Sequence, residues 1–466
     1  MPVPKCYNAP MDPIQIVGGG LAGSEAAWQA AERGHRVILF EMRPHSETGA
    51  HSGADLAELV CSNSLGSQLP DRASGMLLAE LENMGSLLVE CARSVAVPAG
   101  GALAVDRMAF SGAVTRRLLD HPGIELVREE VRTIPKGVAV IATGPLTAAQ
   151  LASELARLSG EQNLYFFDAL SPIVEAESID RSIVFRESRY GRGVFEGGDY
   201  LNCPMTEPEY RDFVRALQIA ERIPLRSFEA AIREGVRAGM DQYFEGCLPI
   251  EILAERGELA LAFGPMRPVG LRDPRTGQRP FAVVQLRQDN LAGSLYNLVG
   301  FQTNLRSAEQ RRVFQMIPGL QGARFVRYGQ MHRNTFVNSP KLLHTTLQFR
   351  GRKDLFLAGQ ITGVEGYLGN IGTGLLAGIN AARVAEEEEP LHLPQVTMLG
   401  ALCHYVSHAE ARSFQPMKAN FGILPPLNFA ERLGRRERAR AHVARGAEAL
   451  DATWASARAS LRIAIS

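Results

Sequence analysis

The chain has 466 residues, of which 45% are hydrophobic, and its 50 basic and 50 acidic residues give a formal net charge of zero. A chain of this length buries a large core, and its size favours two domains. The balanced charge excludes a protein coated uniformly with nucleic acid, because phosphate binding needs concentrated Lys and Arg, so any nucleic-acid site is a local patch.

The cysteines lie far apart and show neither CxxC nor Cys–His spacing; they are Cys6, Cys61, Cys91, Cys203, Cys247 and Cys403. This spacing predicts no disulfide framework and no metal site, and it is typical of thiols in a reducing compartment. The first residues lack a basic cluster followed by a long apolar run, and no uncharged apolar stretch of about 18 residues occurs. We therefore expect a cytoplasmic protein that does not associate with a membrane.

The chain opens with the pattern of a βαβ unit. A short apolar run at 14–17 predicts a strand, and the Ala-rich stretch 21–33 predicts a helix with Gly34 at its C-cap. A second buried strand is predicted over 36–41.

Three glycines in GxGxxG spacing, Gly18, Gly20 and Gly23, join the first predicted strand to the helix. They permit a tight turn, close approach of a pyrophosphate to the backbone, and close helix packing, while the helix N-terminus favours the anion. Glu41, at the end of the second strand, is placed to accept hydrogen bonds from ribose hydroxyls. The pattern predicts a dinucleotide site formed by Gly18, Gly19, Gly20, Leu21, Ala22, Gly23, Glu41, Met42 and Arg43. The alternative is a glycine-rich turn that serves packing alone.

Two cysteines lie in segments that suggest chemistry. Cys61 follows the apolar pair Leu59 and Val60, which predicts a strand end running into small polar residues, and Cys247 lies between Gly246 and a Leu-Pro pair. A thiol on a loop near amides or positive charge forms the thiolate that attacks an electrophilic carbon. The alternative for each cysteine is a small buried hydrophobic residue.

Later segments indicate the fold class. Residues 137–144 and 354–359 predict core strands, and the second leads into a glycine-rich loop reaching Gly378, with a helix over 375–387. The intervening chain mixes a predicted strand at 183–185 with predicted helices at 207–220 and 228–238. We predict an α/β protein in which a Rossmann-type FAD-binding domain (12–170 and 326–466) is interrupted by an inserted α/β substrate domain (171–325).

FAD is favoured over NAD because two late segments fit a bound flavin. The strand at 137–144 ends in Ala-Thr-Gly, and the glycine-rich loop resembles a flavin-contacting segment that returns to the N-terminal fold. Further predicted contacts are Thr143, Gly144, Gly359, Gln360, Gly366, Tyr367 and Gly372. Tyr367 either stacks on a planar ring or anchors a turn.

The tail is helical in composition and carries eight Arg against four acidic residues from Glu431 onward. Candidate phosphate contacts are Arg306, Arg311 and Arg312 in the inserted domain and Arg435, Arg436 and Arg438 in the tail. The alternative for the tail is a solvated helical face.

A series of motifs over nearly the whole chain resembles the bacterial folate- and FAD-dependent tRNA (uracil-5-)-methyltransferases, which are related to the glucose-inhibited-division A-type flavoproteins. The motifs are Gly18 to Gly23 and residues 57–64, 244–251, 263–271, 285–288, 331–340, 358–367 and 419–426. One departure follows Tyr367, where an acidic-polar pair is expected and this chain has Leu368, Gly369 and Asn370.

The resemblance implies C5-methylation of the T-loop uridine (position 54) of tRNA. The methylene group of methylenetetrahydrofolate would pass by way of flavin reduced by NADH or NADPH, and a thiolate would add to uracil C6 so that C5 becomes nucleophilic. By resemblance, Cys247 makes this addition, and Cys61 lies near the flavin, either as the base that removes the C5 proton or as a thiol holding a flavin adduct.

A T-loop uridine fits the way RNA-modifying enzymes extrude a base from its stack. Two other functions stay open. One is an NAD(P)H-linked FAD oxidoreductase of a small molecule, and the other is a non-catalytic RNA-binding flavoprotein subunit.

Overall fold

The computed structural model describes residues 12–46, 48, 50–51, 53–160, 164–191, 198–223, 248–427 and 434–463. The predicted helix at 228–238 and the predicted nucleophile Cys247 lie outside the described residues. No helix in the described part of the chain is both long enough and apolar enough to cross a membrane.

The strands of the described residues, in chain order, are β1 Ile14–Val17, β2 Val37–Phe40, β3 Ser64–Ser67, β4 Ala96–Val97, β5 Ala102–Val105, β6 Ile124–Val127, β7 Ala139–Ile141, β8 Leu164–Ala169, β9 Ile173–Glu175, β10 Phe185–Arg186, β11 Tyr200–Met205, β12 Ala282–Gln288, β13 Leu295–Leu298, β14 Phe325–Arg327, β15 Met331–Phe336, β16 Leu355–Leu357, β17 Val364–Glu365 and β18 Met417–Lys418.

The α-helices of the same residues are α1 Leu21–Ala31, α2 Ala73–Asn83, α3 Leu87–Ser94, α4 Arg107–Leu119, α5 Ala149–Ser159, α6 Glu207–Ile219, α7 Ile250–Glu255, α8 Ala260–Phe263, α9 Ser307–Phe314, α10 Ser339–Leu342, α11 Tyr367–Ala385, α12 Met398–His408 and α13 Arg435–Ile463.

A five-stranded parallel sheet in the order β16-β7-β1-β2-β6 carries the nucleotide fold. Its central strands are apolar because helices cover them, and Ile14, Ile16, Leu39 and Val140 are each completely buried. The predicted strands all occur here: the strand at 14–17 has the predicted bounds, and those at 36–41, 137–144 and 354–359 are shorter than predicted. A strand that lies far along the chain, β16, thus pairs beside β7 and completes the sheet begun at the N-terminus.

Helix α11 corrects one prediction. The stretch after Gly366, predicted as a loop up to Gly378, is helical from Tyr367 onward. The glycines permit this because α11 packs directly on α1: a Cβ at Gly374 would fall 2.1 Å from the Ala22 carbonyl oxygen, and one at Gly378 would fall 2.4 Å from that of Ala26. Backbone-to-backbone packing selects glycine here, although glycine disfavours an isolated helix.

A six-stranded sheet in the order β10-β11-β12-β13-β9-β14 lies between the two halves of the nucleotide fold in sequence, and its strands pair antiparallel. Along β12, Ala282, Val284 and Leu286 join a separate apolar core. The alternate residues Gln285 and Arg287 point to the opposite face, toward the N-terminal fold.

Three smaller predictions differ from the structure. In place of the strand predicted at 183–185, the structure has a two-residue strand at Phe185–Arg186. Helix α1 has its C-cap at Glu32, and Gly34 forms the turn beyond it with φ +88°. Residues 59–61 form a loop rather than a strand end, and the strand begins at Ser64. Carbonyl groups of this loop are instead bound by arginine side chains.

Candidate cofactor and thiol site

The glycine turn after β1 has the geometry of a pyrophosphate cradle. Gly18 has φ +104°, and a Cβ there would fall 2.6 Å from the Ala142 carbonyl oxygen; a Cβ at Gly23 would fall 1.8 Å from the Gly18 carbonyl oxygen. Gly20 differs, because a Cβ there would meet no atom within 4 Å. Two glycines are therefore required by the protein's own packing, and the third faces space that a phosphate group can occupy.

Glu41 lies directly after β2, with its carboxylate fixed by buried donors. Its oxygens accept the N–H of Gly19 at 2.9 Å, and the N–H and Nε of Arg43 at 2.9 and 3.0 Å. Burial by itself raises the pKa of Glu41, but the hydrogen bonds and charge of Arg43 outweigh it and hold the pKa below its ordinary value. The group is therefore an ionised acceptor at neutral pH, as contact with ribose hydroxyls requires.

A single cleft joins the glycine turn to the late segment around α11. It encloses about 1010 Å³ of space, open solvent included. Of the predicted cofactor contacts, those that line it are Gly18, Gly20, Leu21, Ala22, Glu41, Met42, Arg43, Thr143, Gly144, Gly359, Gln360 and Tyr367. Lining residues that were not predicted as cofactor contacts include Thr48, His51, Val60, Thr147 and Asn370.

Four predicted contacts lie behind the wall of the cleft or beside it: Gly19, Gly23, Gly366 and Gly372 are not among its lining residues. Gly19 donates to Glu41 from behind. A Cβ at Gly372 would fall 2.8 Å from the Leu399 side chain, so this glycine faces α12. The absence of a side chain at Gly372 allows α11 to pack closely against α12, whereas Asn370, two residues earlier, lines the cleft.

Asn370 lies in the first turn of α11, where the sequence departs from the expected acidic-polar pair. Its side chain is 8% exposed, and its Oδ1 atom is buried without a hydrogen-bond partner. A buried acceptor without a donor is costly unless a ligand supplies one. Two features of the cleft fit a bound dinucleotide cofactor. One is the open space at Gly20, and the other is the acceptor Asn370 Oδ1 farther along the cleft. Spacing from Tyr367 along one helix face would have signalled Asn370.

Tyr367, the first residue of α11, connects the cleft to Cys61. Its hydroxyl oxygen accepts the backbone N–H of Cys61 at 2.9 Å and that of Ser62 at 3.0 Å. Burial raises the pKa of Tyr367, and the neighbouring Cys61 raises it further, so the hydroxyl stays protonated. The tyrosine thus lines the cofactor cleft and anchors the thiol loop, and its stacking on a planar ring stays a prediction.

Three guanidinium groups hold the same loop, residues 59–63, from the other side. Arg107 Nη1 donates to the Leu59 carbonyl oxygen at 2.9 Å, and Arg327 Nη2 donates to that of Val60 at 2.5 Å. Arg287 donates through Nη2 to Ser62 Oγ at 2.9 Å and through Nε to Asn63 Oδ1 at 2.8 Å.

Two of these arginines belong to one row of the six-stranded sheet. Arg287 on β12 is paired with Asn297 on β13, and both Asn297 and Arg327 are paired with Ile173 on β9. The row therefore presents Arg287, Asn297 and Arg327 along one face of the sheet, against residues 59–63. The sequence around positions 287 and 327 contains no local pattern that predicts contact with residues 59–63.

The local charge is positive around the thiol. Arg107 is paired with Asp289 at 3.1 Å, while the hydrogen bonds of Arg287 and Arg327 to the loop go to neutral oxygens. Burial lowers the pKa of both Arg287 and Arg327, and Cys61 is among the groups whose charge counteracts this. The guanidinium groups of Arg287 and Arg327 therefore bring positive charge to the thiol loop, and the charge of Asp289 offsets part of it.

The segment that follows Cys247 is anchored by a buried carboxylate. Glu251 on α7 accepts Thr303 Oγ1 at 2.9 Å and the N–H of Asn304 at 2.7 Å, and burial raises the pKa of Glu251. Cys247 itself lies outside the described residues, so its role as the nucleophile stays a prediction.

Other predicted candidates are spread over the surface. Arg312 is paired with Glu309 at 2.5 Å and Arg306 with Glu221 at 3.5 Å, whereas Arg311 contacts the Tyr328 hydroxyl. The tail arginines Arg435, Arg436 and Arg438 are exposed at the start of α13. In the described ranges, no group of three or more His, Cys, Asp and Glu side chains is placed to hold a metal ion.

The fold and cleft define a Rossmann-type flavoprotein of the glucose inhibited division class. The profile of the family described as glucose inhibited division protein A matches residues 13–389. The structure of GidA from Aquifex aeolicus superposes with a TM-score of 0.65 at 16% identity, covering 95% of this chain and 73% of that one. This likeness confirms the predicted fold class.

Curated relatives give the particular family. A protein of Desulforudis audaxviator named methylenetetrahydrofolate--tRNA-(uracil-5-)-methyltransferase TrmFO is 54% identical, over 95% of this chain and 98% of the relative. A protein of the same name from Moorella thermoacetica is 55% identical, over 94% of this chain and 97% of the relative. The chain belongs to the TrmFO family, and the resemblance inferred from its motifs is confirmed.

Proposed function

We propose that the protein transfers a one-carbon unit from methylenetetrahydrofolate to C5 of the T-loop uridine (position 54) of tRNA, with FAD as cofactor and NADH or NADPH as reductant. The observation that carries the proposal is the contact of Tyr367 with Cys61, because it places a thiol loop at the cofactor cleft. The relatives are named as methylenetetrahydrofolate--tRNA-(uracil-5-)-methyltransferases, which supports tRNA as the substrate and the folate as the donor.

The cofactor is assigned from the residues that fit it. The turn at Gly18 and Gly20 would hold the pyrophosphate at the N-terminus of α1, and Glu41 would accept from the ribose. Asn370 Oδ1 and the N-terminus of α11 supply an acceptor and a positive dipole end farther along the cleft. FAD, when bound and reduced, supplies the carbon-transfer and hydride chemistry that no side chain can perform.

The protein's own chemistry lies in its thiols. Cys247 is proposed as the nucleophile that adds to uracil C6, which loads electron density onto C5. Cys61 is proposed as the group beside the cofactor, as base for the C5 proton or as a thiol that holds a flavin adduct. Arg287 and Arg327 position the Cys61 loop and stabilise negative charge on it. The uridine must leave its stack to reach either sulfur.

The proposal is tested by incubating the purified protein with an unmodified tRNA transcript, NADH and methylenetetrahydrofolate carrying a labelled methylene carbon. A parallel reaction contains labelled S-adenosylmethionine instead. Label is expected in the tRNA from the folate donor alone, and none is expected in a transcript with cytidine at position 54. Label from S-adenosylmethionine, or NADH oxidation without labelled tRNA, contradicts the proposal, and the second result favours a small-molecule oxidoreductase.

The thiol roles need separate variants. Cys247→Ala is expected to abolish methyl transfer while NADH still reduces the flavin at the wild-type rate. Cys403→Ala is a matched control, because Cys403 is buried in α12 and takes no part in the site. Unchanged methyl transfer by Cys247→Ala removes that residue from the mechanism.

A further inference from the structure

An exposed tyrosine on the six-stranded-sheet side of the molecule has an unfavourable backbone conformation. Tyr190 has φ +60° and ψ +28°, the left-handed region, and its side chain is 65% exposed. A residue with a Cβ pays a conformational cost there that glycine avoids. Backbone conformations of this kind cluster at active sites and ligand-binding sites, which makes Tyr190 a candidate contact for a ligand.

The ring of Tyr190 rests on a glycine of the motif at residues 263–271. A Cβ at Gly270 would fall 3.1 Å from two ring carbons of Tyr190, and the Tyr190 N–H donates to the Gly270 carbonyl oxygen at 3.1 Å. The backbone of Gly270 therefore supports one side of the ring. Phe263, which begins this motif, is 81% exposed and adds a second aromatic surface to the same segment.

Two arginines lie beside the tyrosine. Arg189 donates to Gln285 Oε1 at 2.9 Å and to the Val269 carbonyl oxygen at 2.8 Å, both neutral acceptors. Burial lowers the pKa of Arg189, and the positive charge of the exposed Arg267 lowers it further. Two neighbouring guanidinium charges attract an anion.

The same sheet face carries an arginine that contacts the thiol loop. Gln285, the partner of Arg189, is two residues from Arg287 on β12, and alternate residues share a strand face. Both side chains are buried, and Arg287 donates to Ser62, the neighbour of Cys61. Arg189 is therefore connected to the thiol loop through two buried side chains of one strand.

We propose that Tyr190, Arg189 and Arg267 form a docking surface for the RNA substrate, in which an unpaired base stacks on the Tyr190 ring and phosphates lie against the two guanidinium groups. An aromatic face beside guanidinium groups is how proteins hold unpaired nucleotides. The inference rests on the proposed function, since it gives the tRNA of that reaction its place on the protein.

The test compares the dissociation constants of the FAD-loaded variants for an unmodified tRNA transcript, measured by filter binding at several salt concentrations. Tyr190→Gly removes the ring and relieves the backbone strain, so it is expected to melt no lower than the wild type and yet to bind tRNA about tenfold more weakly. Tyr190→Phe keeps the stacking face and is expected to bind within about twofold of the wild type.

Arg267→Gln is expected to weaken binding several-fold and to reduce the slope of log K against log salt by about one. Arg157→Gln is its control, because Arg157 is also exposed but lies on α5, paired with Glu154. Wild-type affinity and salt slope in both Tyr190→Gly and Arg267→Gln would overturn the docking surface. An equal loss in Tyr190→Phe and Tyr190→Gly would overturn base stacking.

The two proposals fail in distinguishable ways. If the wild-type protein transfers folate label to tRNA while both variants bind tRNA normally, the docking surface alone is rejected. If the wild-type protein neither binds nor labels tRNA, the proposed function is rejected and the docking surface with it.

Discussion

The hydroxyl oxygen of Tyr367 lies 2.9 Å from the backbone nitrogen of Cys61, although 306 residues separate the two in sequence. Tyr367 begins α11 and lines the cofactor cleft, so the same residue forms part of the cofactor wall and fixes the thiol loop. Loss of this hydrogen bond is expected to change the position of the Cys61 thiol relative to the cofactor, while the cofactor stays bound in the cleft.

Tyr367→Phe tests this coupling. The variant keeps the ring in the cleft but leaves the N–H groups of Cys61 and Ser62 without their acceptor, a loss of about 1–3 kcal/mol for each buried donor. We expect unchanged FAD content and methyl transfer reduced at least about tenfold, measured with labelled folate under saturating tRNA. Tyr405→Phe is the control, since the Tyr405 hydroxyl donates to the Gln415 carbonyl oxygen and Tyr405 is not among the residues that line the cleft. Wild-type transfer by Tyr367→Phe would show that the loop does not need this anchor.

Gly20→Ala separates cofactor binding from folding. The new methyl group meets no protein atom within 4 Å, and Gly20 has an ordinary φ of −76°, so stability is expected to stay within about 0.5 kcal/mol of the wild type. The methyl group occupies the space assigned to the pyrophosphate, so the purified protein should lose most of its yellow colour, and Gly20→Val should be colourless. Gly23→Ala, whose Cβ would lie 1.8 Å from a carbonyl oxygen, should instead unfold the domain. A normal flavin spectrum in Gly20→Val would falsify the site.

Arg327→Gln tests the electrostatic environment of Cys61. Loss of one guanidinium group beside the thiol loop is expected to slow alkylation of Cys61 by iodoacetamide about fivefold, because the guanidinium charge stabilises the negative charge on the attacking sulfur. Mass spectrometry of the Cys61 peptide gives the rate for this residue alone. Arg324→Gln is the matched control, because Arg324 lies three residues earlier, is 58% exposed and is paired with Glu175. Equal slowing in both variants would argue against a specific role of Arg327.

Glu80 is expected to make stability depend on pH. It lies in α2, and its carboxylate accepts the N–H groups of Met398 and Leu399 at the start of α12. Burial, opposed by these two hydrogen bonds, raises the pKa of Glu80 from 4.5 to about 7. The pKa of Glu80 is therefore higher in the folded state than in the unfolded state. Because the folded state binds the proton more tightly, this group favours folding at low pH.

That stability is lost as the pH rises from about 4.5 to 7, by up to about 3 kcal/mol. Urea unfolding at a series of pH values should show the loss in the wild type and a flatter profile in Glu80→Gln. Glu82→Gln, on the same helix but exposed and paired with Arg93, should follow the wild type. A wild-type stability that rises over this window would contradict the expectation.

The nucleotide-binding half of the site is largely determined by local sequence. The strand β1, the helix α1 and the acid after β2 are encoded by short-range patterns, namely an apolar run, a helical stretch and glycines at fixed spacing. Each pattern acts within one or two elements, because steric demands on Gly18 and Gly23 arise from neighbours that the βαβ unit always brings close. The strand β16 could be predicted for the same reason, although its place beside β7 required the fold.

Tertiary packing decided the rest. The run of glycines after Gly366 looks like a loop in isolation, but it forms α11 because the backbone of α1 lies against it and leaves no room for side chains at Gly374 and Gly378. The arginines that hold the Cys61 loop come from strands distant in sequence, and only the register of the six-stranded sheet brings Arg287 and Arg327 to one face. The local sequence thus determined which groups could bind the nucleotide. The folded chain determined which groups surround the sulfur, because hydrogen bonds between remote segments leave no periodic pattern in the sequence.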